Sequence, residues 1–256
     1  MISDVDAGFR YFESFTNFER TPGGTRSRRL ERMMELCDRA GHPERHFDSV
    51  HIAGSKGKGS TATYLATLIE AAGHPTGLYT SPHLEDYRER ITEAGKPLRE
   101  EDYLDEMAWV ERLVAELQRE GRRGEQLPTT FELLTLLAFR LFRRFTWAVL
   151  ETGLGGRLDA TNVVQPACTV ITPIELEHTE YLGDTIAAIA GEKAGIIKRG
   201  TPLFTAPLHP DAERVISDRA RELSVEHRPY ASAIEEADPP VTLPGTDVSA
   251  SAAARP

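Results

Sequence analysis

At 256 residues, with 40% hydrophobic and 27% charged side chains, the chain has the makeup of a globular protein that can bury one good core. A formal net charge of -10 argues against a nucleic-acid or anionic-membrane surface, so an anionic ligand must be held by a local site. No apolar run is long enough to span a membrane, the start carries Asp4 and Asp6 rather than a signal peptide, and Cys37 and Cys168 lack metal-ligand spacing, so a cytoplasmic protein is expected.

Residues 4–16 place Phe9, Phe12 and Phe15 on one helical face, which reads as core packing. Residues 21–24 (Thr-Pro-Gly-Gly) form a turn, and 26–40 a second helix closed by Gly41 and Pro43. The arginines of that helix, Arg26, Arg28, Arg29 and Arg32, read as a solvated face rather than a phosphate contact.

Residues 49–53 are a short apolar run with β-branched members, a buried strand. Residues 61–72 have helical spacing, with Leu65, Leu68, Ile69 and Ala72 on one face. Between them the chain reads Gly54-Ser55-Lys56-Gly57-Lys58-Gly59-Ser60. A glycine-rich turn from strand to helix aims backbone N–H groups and the positive end of the helix dipole at one point, which suits a polyphosphate. Lys58 adds a point charge near the β and γ phosphates, and Ser60 a hydroxyl for Mg²⁺. Gly59 separates the lysine from the hydroxyl, unlike the standard P-loop spelling, and the site is expected to hold ATP.

A second strand, 76–80, runs into Ser81, Pro82, His83 and Leu84, a loop at the carboxyl edge of a parallel sheet, where ligands bind in open α/β folds. Arg88, Glu89 and Arg90 precede a hairpin over 91–97, and 99–119 is an amphipathic helix marked by Leu104, Met107, Leu113 and Leu117. After a polar loop, Thr129, Thr130, Phe131 and Glu132 open an apolar helix reaching Phe145. Residues 145–150 form a strand with Glu151 at its tip, the usual place for a carboxylate that holds Mg²⁺ beside a phosphate loop. Glu151 capping the following turn is the plainer alternative, disfavoured by the glycine-rich 152–157, which lets a ligand approach closely.

A strand at 167–172 leads to His178, which is as readily a structural histidine as a ligand on its own residues. A helix over 185–197 carries Lys193, by itself a surface lysine. Strands at 201–206 and 225–230 flank a helix over 210–223. This alternation gives an α/β fold with a mostly parallel sheet flanked by helices. Residues 1–234 make up the expected domain, and 235–256, without apolar periodicity, a linker or disordered tail.

The chain resembles the folylpolyglutamate synthases and dihydrofolate synthases, P-loop NTPase-like ligases of the Mur superfamily. Five segments carry the resemblance, in the family's order: 53–60, 77–84, 88–91, 151–162 and 192–196. It implies that 57–60 cradle the phosphates of ATP and that Ser81, Glu151 and His178 hold Mg²⁺, with Ser60 a further ligand. Lys58, Glu151, His178 and Lys193 would form the catalytic set, with Lys193 carbamylated to help fix a second metal. The substrate, dihydropteroate or a folate, would lie against Thr129, Thr130, Phe131, Glu132, Leu158, Asp159 and Ala160, near Ser81, Pro82, His83 and Arg90. Glu177 stands where aspartate is usual, and Lys56 where asparagine is common. The implied reaction joins L-glutamate to the substrate through an acyl phosphate. The family's C-terminal domain is not read in this sequence, so the expectation is either a fragment or truncated product, or a partner that supplies the missing half in trans. A non-catalytic nucleotide- or folate-binding module is the alternative.

Overall fold

The computed structural model describes residues 2–17 and 29–230. The turn expected at 21–24, Arg26, Arg28, the side chain of Arg29 and the tail 235–256 lie outside the described residues.

Helix α1 (Val5–Glu13) starts on Asp4, whose carboxylate accepts from Ala7 N at 2.7 Å and so satisfies one of the orphan N–H groups of the first turn. Its Phe9 and Phe12 are buried, as the spacing predicts, together with Val5, while Phe15 lies just past the helix and is half-buried. After α2 (Arg29–Arg39), strand β1 (Asp48–Ala53), helix α3 (Lys58–Ala71) and strand β2 (Thr76–Tyr79) form the first crossover. The hairpin β3 (Ile91–Glu93) and β4 (Lys96–Pro97) is followed by α4 (Glu100–Arg119), α5 (Thr130–Phe142) and β5 (Trp147–Glu151). The last third alternates β6 (Cys168–Ile171), a single-turn α6 (Thr179–Leu182), α7 (Ile186–Lys193), β7 (Leu203–Thr205), α8 (Pro210–Glu222) and β8 (His227–Pro229).

All the strands join one sheet in the order β4-β3-β2-β5-β1-β6-β7-β8. The run from β2 to β8 is parallel, and β3 and β4 add an antiparallel hairpin at one rim. Each rim carries a proline, Pro97 on β4 and Pro229 on β8. Strand β1 lies in the middle, with β5 and β2 on one side and β6 on the other. The order of connection therefore reverses across β1, and a crevice opens there at the carboxyl ends of the strands.

Alternation along the strands divides the side chains between the faces. Tyr79, Ala148 and Leu150 join the largest core, built with α1, α2, α4 and α5. Leu78, Val149, Val50 and Ile52 point the other way, against Ala62 and Ala66 of α3. A third cluster packs Ile171, Ile189, Leu203 and Ile216 among β6, β7, α7 and α8.

Three expectations are corrected. The helical spacing puts Leu65, Leu68, Ile69 and Ala72 on one face, yet Leu68 is 65% exposed and Ala72 is exposed too. The small side chains Ala62 and Ala66 allow closest approach to the sheet, so the helix rolls onto the 62/65/66/69 stripe and turns Tyr64 and Leu68 outward. In α4 the buried stripe includes Tyr103 and Val110, while Leu104 is only half-buried. Lys193, which by itself read as a surface residue, has a side chain 1% exposed.

Candidate active site

The glycine loop leaves β1 and ends at the start of α3, in the central crevice. Gly57 takes φ 76° at the helix entrance, a left-handed conformation that glycine adopts without a steric penalty. No side chain caps this end and no acidic residue occupies the first turn. The first intrahelical bond runs from Thr61 N to Gly57 O at 2.9 Å. The N–H groups of Lys58, Gly59 and Ser60 therefore have no carbonyl partner within the helix, and the dipole adds its positive end there. A helix of this length left uncapped is prepared for an anion.

Upstream, the loop is pinned to the segment that follows β6. Ser55 N and Lys56 N both donate to Pro173 O, at 2.9 and 3.4 Å, and Ser55 Oγ donates to Glu175 O at 3.1 Å. Gly54 has φ 152° and lies so close to Thr172 that an added Cβ would sit 1.8 Å from Thr172 Oγ1.

Glu151, at the tip of β5, is almost fully buried and faces this loop. Its Oε1 lies 3.9 Å from Lys58 Nζ, and its Oε2 accepts from Ser81 N at 3.1 Å. The backbone of Gly59 passes beside it, a Cβ there lying 3.4 Å from Oε2. Three strand ends thus meet, with Lys58 after β1, Ser81 after β2 and Glu151 on β5. Burial raises the Glu151 carboxyl above its ordinary range, against the pull of Ser81 N–H and Lys58.

The same neighbourhood holds a second ion pair. Lys193 Nζ donates to Glu177 Oε1 and to Gly54 O, at 2.6 and 2.7 Å. Burial lowers the Lys193 ammonium, and Glu177 opposes that. Glu177 is pushed up by its own burial but held down overall by its bond to Lys193 and by the charge of Lys58. This amine, expected to be carbamylated, is bonded here to the longer Glu177 side chain and a loop carbonyl. His178, expected beside Glu151, stands in left-handed backbone (φ 44°) at the start of α6 and is exposed.

The remaining expected residues divide into two groups. Asp159 spends both oxygens on its own loop: Oδ2 accepts from Gly153 N and Leu154 N at 2.9 and 3.0 Å, and Oδ1 from Thr161 N and Thr161 Oγ1 at 3.0 and 2.5 Å. Glu132 and Thr129 form a capping box at the start of α5, and Glu132 also receives Arg32 Nε at 2.8 Å. Thr130 Oγ1 donates to Phe12 O at 2.9 Å, tying α5 to α1. Phe131 faces the crevice side instead, with its ring tip 2.5 Å from where a Cβ on Gly153 would be. Leu158 is half-buried and Ala160 buried. In the loop after β2, the Ser81–Pro82 bond is cis and Pro82 is exposed. Arg90 Nε donates to His83 Nδ1 at 2.8 Å, and the His83 ring packs 4.1 Å from Tyr87. Glu89 gathers the N–H groups of Leu84, Glu85 and Asp86 at 2.8 to 2.9 Å, which fixes the loop.

The donor set at Glu151 suits magnesium rather than a metal held wholly by protein. Among the described residues no three His, Cys, Asp or Glu side chains come together to hold an ion. One buried carboxylate beside the Ser81 backbone and an uncapped helix start fits Mg²⁺, which takes one or two carboxylates and completes its shell with phosphate oxygens and water. Missed in the sequence reading were the Glu177 bond to Lys193, the Gly153 and Leu154 amides gathered by Asp159, and His51. The partners of Lys193 and His51 arrive from other segments and leave no local spacing signal, whereas Asp159 bonds amides of its own glycine-rich loop, which a carboxylate a few residues past Gly153 could have signalled.

No protein-family model matches the chain. A dihydrofolate synthase/folylpolyglutamate synthase of Bacillus subtilis is 42% identical over 194 residues, covering 75% of this chain and 44% of its own length. A Mycobacterium tuberculosis folylpolyglutamate synthase complexed with ADP superposes with a TM-score of 0.77 at 34% identity, over 88% of this chain and 51% of that one. A folylpolyglutamate synthase complex with AMPPCP and folate gives a TM-score of 0.81 at 34% identity, over 88% and 54% of the two chains. The chain thus spans about half the length of the relatives it matches.

Proposed function

From the premise that this chain is homologous to the folylpolyglutamate synthases and dihydrofolate synthases, we propose that it is the ATP-binding part of a ligase that joins L-glutamate to dihydropteroate or a folate. The observation that carries this reading is the meeting of Lys58, Glu151 and Ser81 over an uncapped helix start. Residues 1–234 form the domain, and ATP is seated with its phosphates on Gly54, Gly57, Lys58, Gly59 and Ser60.

A free carboxylate is a poor acyl donor, so the substrate carboxylate first takes the γ-phosphoryl group and ADP leaves. The glutamate amine then attacks the acyl phosphate, giving an amide and inorganic phosphate. Such transfer depends on position and charge more than on a covalent protein group. Lys58 and the N–H groups of the loop stabilise the charge that spreads over the transferred group. An ion pair at about 4 Å is worth roughly 4 kcal/mol in a partly dry site, against about 1 kcal/mol in water. Mg²⁺, held by Glu151 with Ser60 and Ser81, would neutralise phosphate charge. Lys193, held by Glu177 and Gly54 O, places its amine beside the loop, where carbamylation would supply a carboxylate for a second metal. Phe131, whose ring reaches Gly153, with half-buried Leu158, offers apolar surface for a flat pterin ring, and buried Ala160 lies in the same expected set.

The test is a titration of the purified chain with AMPPCP and Mg²⁺, then glutamate-dependent ADP release with dihydropteroate and with tetrahydrofolate. The chain should bind the nucleotide, and Lys58→Ala should weaken binding at least tenfold while leaving the fold intact. A Lys58→Ala protein with unchanged affinity refutes the site.

A further inference from the structure

The side of β1 that faces away from α3 carries one histidine. His51 is fully buried, and its Nε2 lies 2.8 Å from Thr161 Oγ1, a residue 110 positions away. Thr161 Oγ1 donates in turn to Asp159 Oδ1, and Asp159 Oδ2 collects the N–H groups of Gly153 and Leu154. These amides belong to the turn that directly follows Glu151. His51 Nδ1 has no hydrogen-bond partner among the described residues, and neither has the hydroxyl of Thr169, its register neighbour on β6.

The proton positions follow from counting donors. Burial raises the Asp159 carboxyl, but two backbone N–H groups on one oxygen and a third on the other oppose that and favour the carboxylate, and the Thr161 hydroxyl donates to it. The Thr161 hydroxyl therefore gives its single proton to Asp159 and must accept from His51. The imidazole is then neutral, with its proton on Nε2 and a bare lone pair at Nδ1. An unmade bond at Nδ1 costs less for a lone pair than for a buried N–H.

We propose that His51 is a positioning residue: as the Nε2–H tautomer it orients Thr161, and through Asp159 it holds the 152–154 turn that sets Glu151 against the glycine loop. The inference deepens the nucleotide reading above and rests on it only for its functional consequence. The strand that supplies the phosphate loop thereby also fixes the carboxylate opposite, from beneath the site, without touching the ligand.

The experiment uses the full chain with ¹⁵N-labelled histidine and backbone. Long-range ¹H–¹⁵N spectra should show His51 protonated at Nε2. Hydrogen exchange should show Gly153 and Leu154 amides protected. Thr161→Val, nearly isosteric but without the hydroxyl, should speed exchange at these two amides at least tenfold and leave the β1 and β6 amides unchanged. It should also weaken AMPPCP binding about tenfold, the equivalent of about 1.4 kcal/mol. Thr161→Ser, which keeps the hydroxyl, and His51→Gln, whose amide reaches a similar point, should keep both at the wild-type level. Protonation at Nδ1, or a folded Thr161→Val with unaltered Gly153 and Leu154 exchange, overturns the relay. Altered exchange with unaltered nucleotide affinity overturns its positioning role. A wild-type chain that shows the tautomer and protection but binds no nucleotide refutes the nucleotide reading and, with it, the functional consequence, while the relay itself stands.

Discussion

Single side chains carry most of what is specific to this crevice. Gly54 is the tightest point, since a methyl group there collides with Thr172 in a backbone conformation that only glycine adopts easily. Gly54→Ala should lower stability by about 2–4 kcal/mol, read by urea unfolding, and should weaken nucleotide binding by moving the loop. His51 gives a second expectation. Burial, and then the charge of Lys198, hold its imidazolium pKa down to about 3, against an ordinary 6.5. Between those values the unfolded chain takes up a proton that the folded chain refuses, so acidification through this window destabilises the fold. Glu151 and Asp159, raised by burial, titrate in the opposite sense. The useful quantity is therefore the difference between wild type and His51→Gln, in which those contributions cancel. From pH 7 to pH 5 the wild type should lose about 2 kcal/mol more than the variant, measured by urea unfolding at both values.

Elements show why some of this was legible in the sequence and some was not. The glycine loop, the strand-tip carboxylate and the helix start at Thr129 are local patterns, and each was found where its spelling puts it. The Thr129–Glu132 box was expected to touch substrate; it closes the first turn of α5 and receives Arg32. Thr129→Ala should cost about 1 kcal/mol by thermal unfolding, with much less effect on nucleotide affinity. The roll of α3 was not legible, because Leu68 and Ala72 fit the same 3.6-residue period as the stripe that packs; the choice between stripes falls to how closely Ala62 and Ala66 approach the sheet. Buried Lys193 was hidden for a similar reason: its partners, Glu177 and Gly54 O, come from other segments. The β2–α5 contact gives a further expectation. A Cβ on Gly77 would lie 2.5 Å from the Phe142 ring, so Gly77→Ala should destabilise by about 1–3 kcal/mol, and Gly77→Ala with Phe142→Leu should recover part of it.

At the scale of the whole molecule, the strand order was not in the sequence but its consequence was. Alternating strands and helices foretold a mostly parallel sheet, and placing loops at strand ends foretold a crevice. What decided that Lys58, Ser81 and Glu151 meet is the reversal across β1, which sets β5 directly beside it and β2 one strand further out. The neighbouring contribution of Lys193 depends on α7 folding back from the other half of the sheet. Because the ligand would bridge both halves, binding should stabilise the folded chain as a unit. AMPPCP with Mg²⁺ at a hundredfold excess over its dissociation constant should add about 2.7 kcal/mol, a rise of roughly 5–10 °C in Tm by scanning calorimetry. Lys58→Ala should abolish that rise.

The two rim prolines bear on how the molecule behaves when crowded. An incoming extended segment from a neighbour needs a row of outward donors to zip onto, and Pro97 on one side and Pro229 on the other each break that row. Both rim strands are also short, at 2 and 3 residues, leaving little template to copy. The folded chain should therefore resist polymerising through its sheet, and fibrils seeded from it should require prior unfolding.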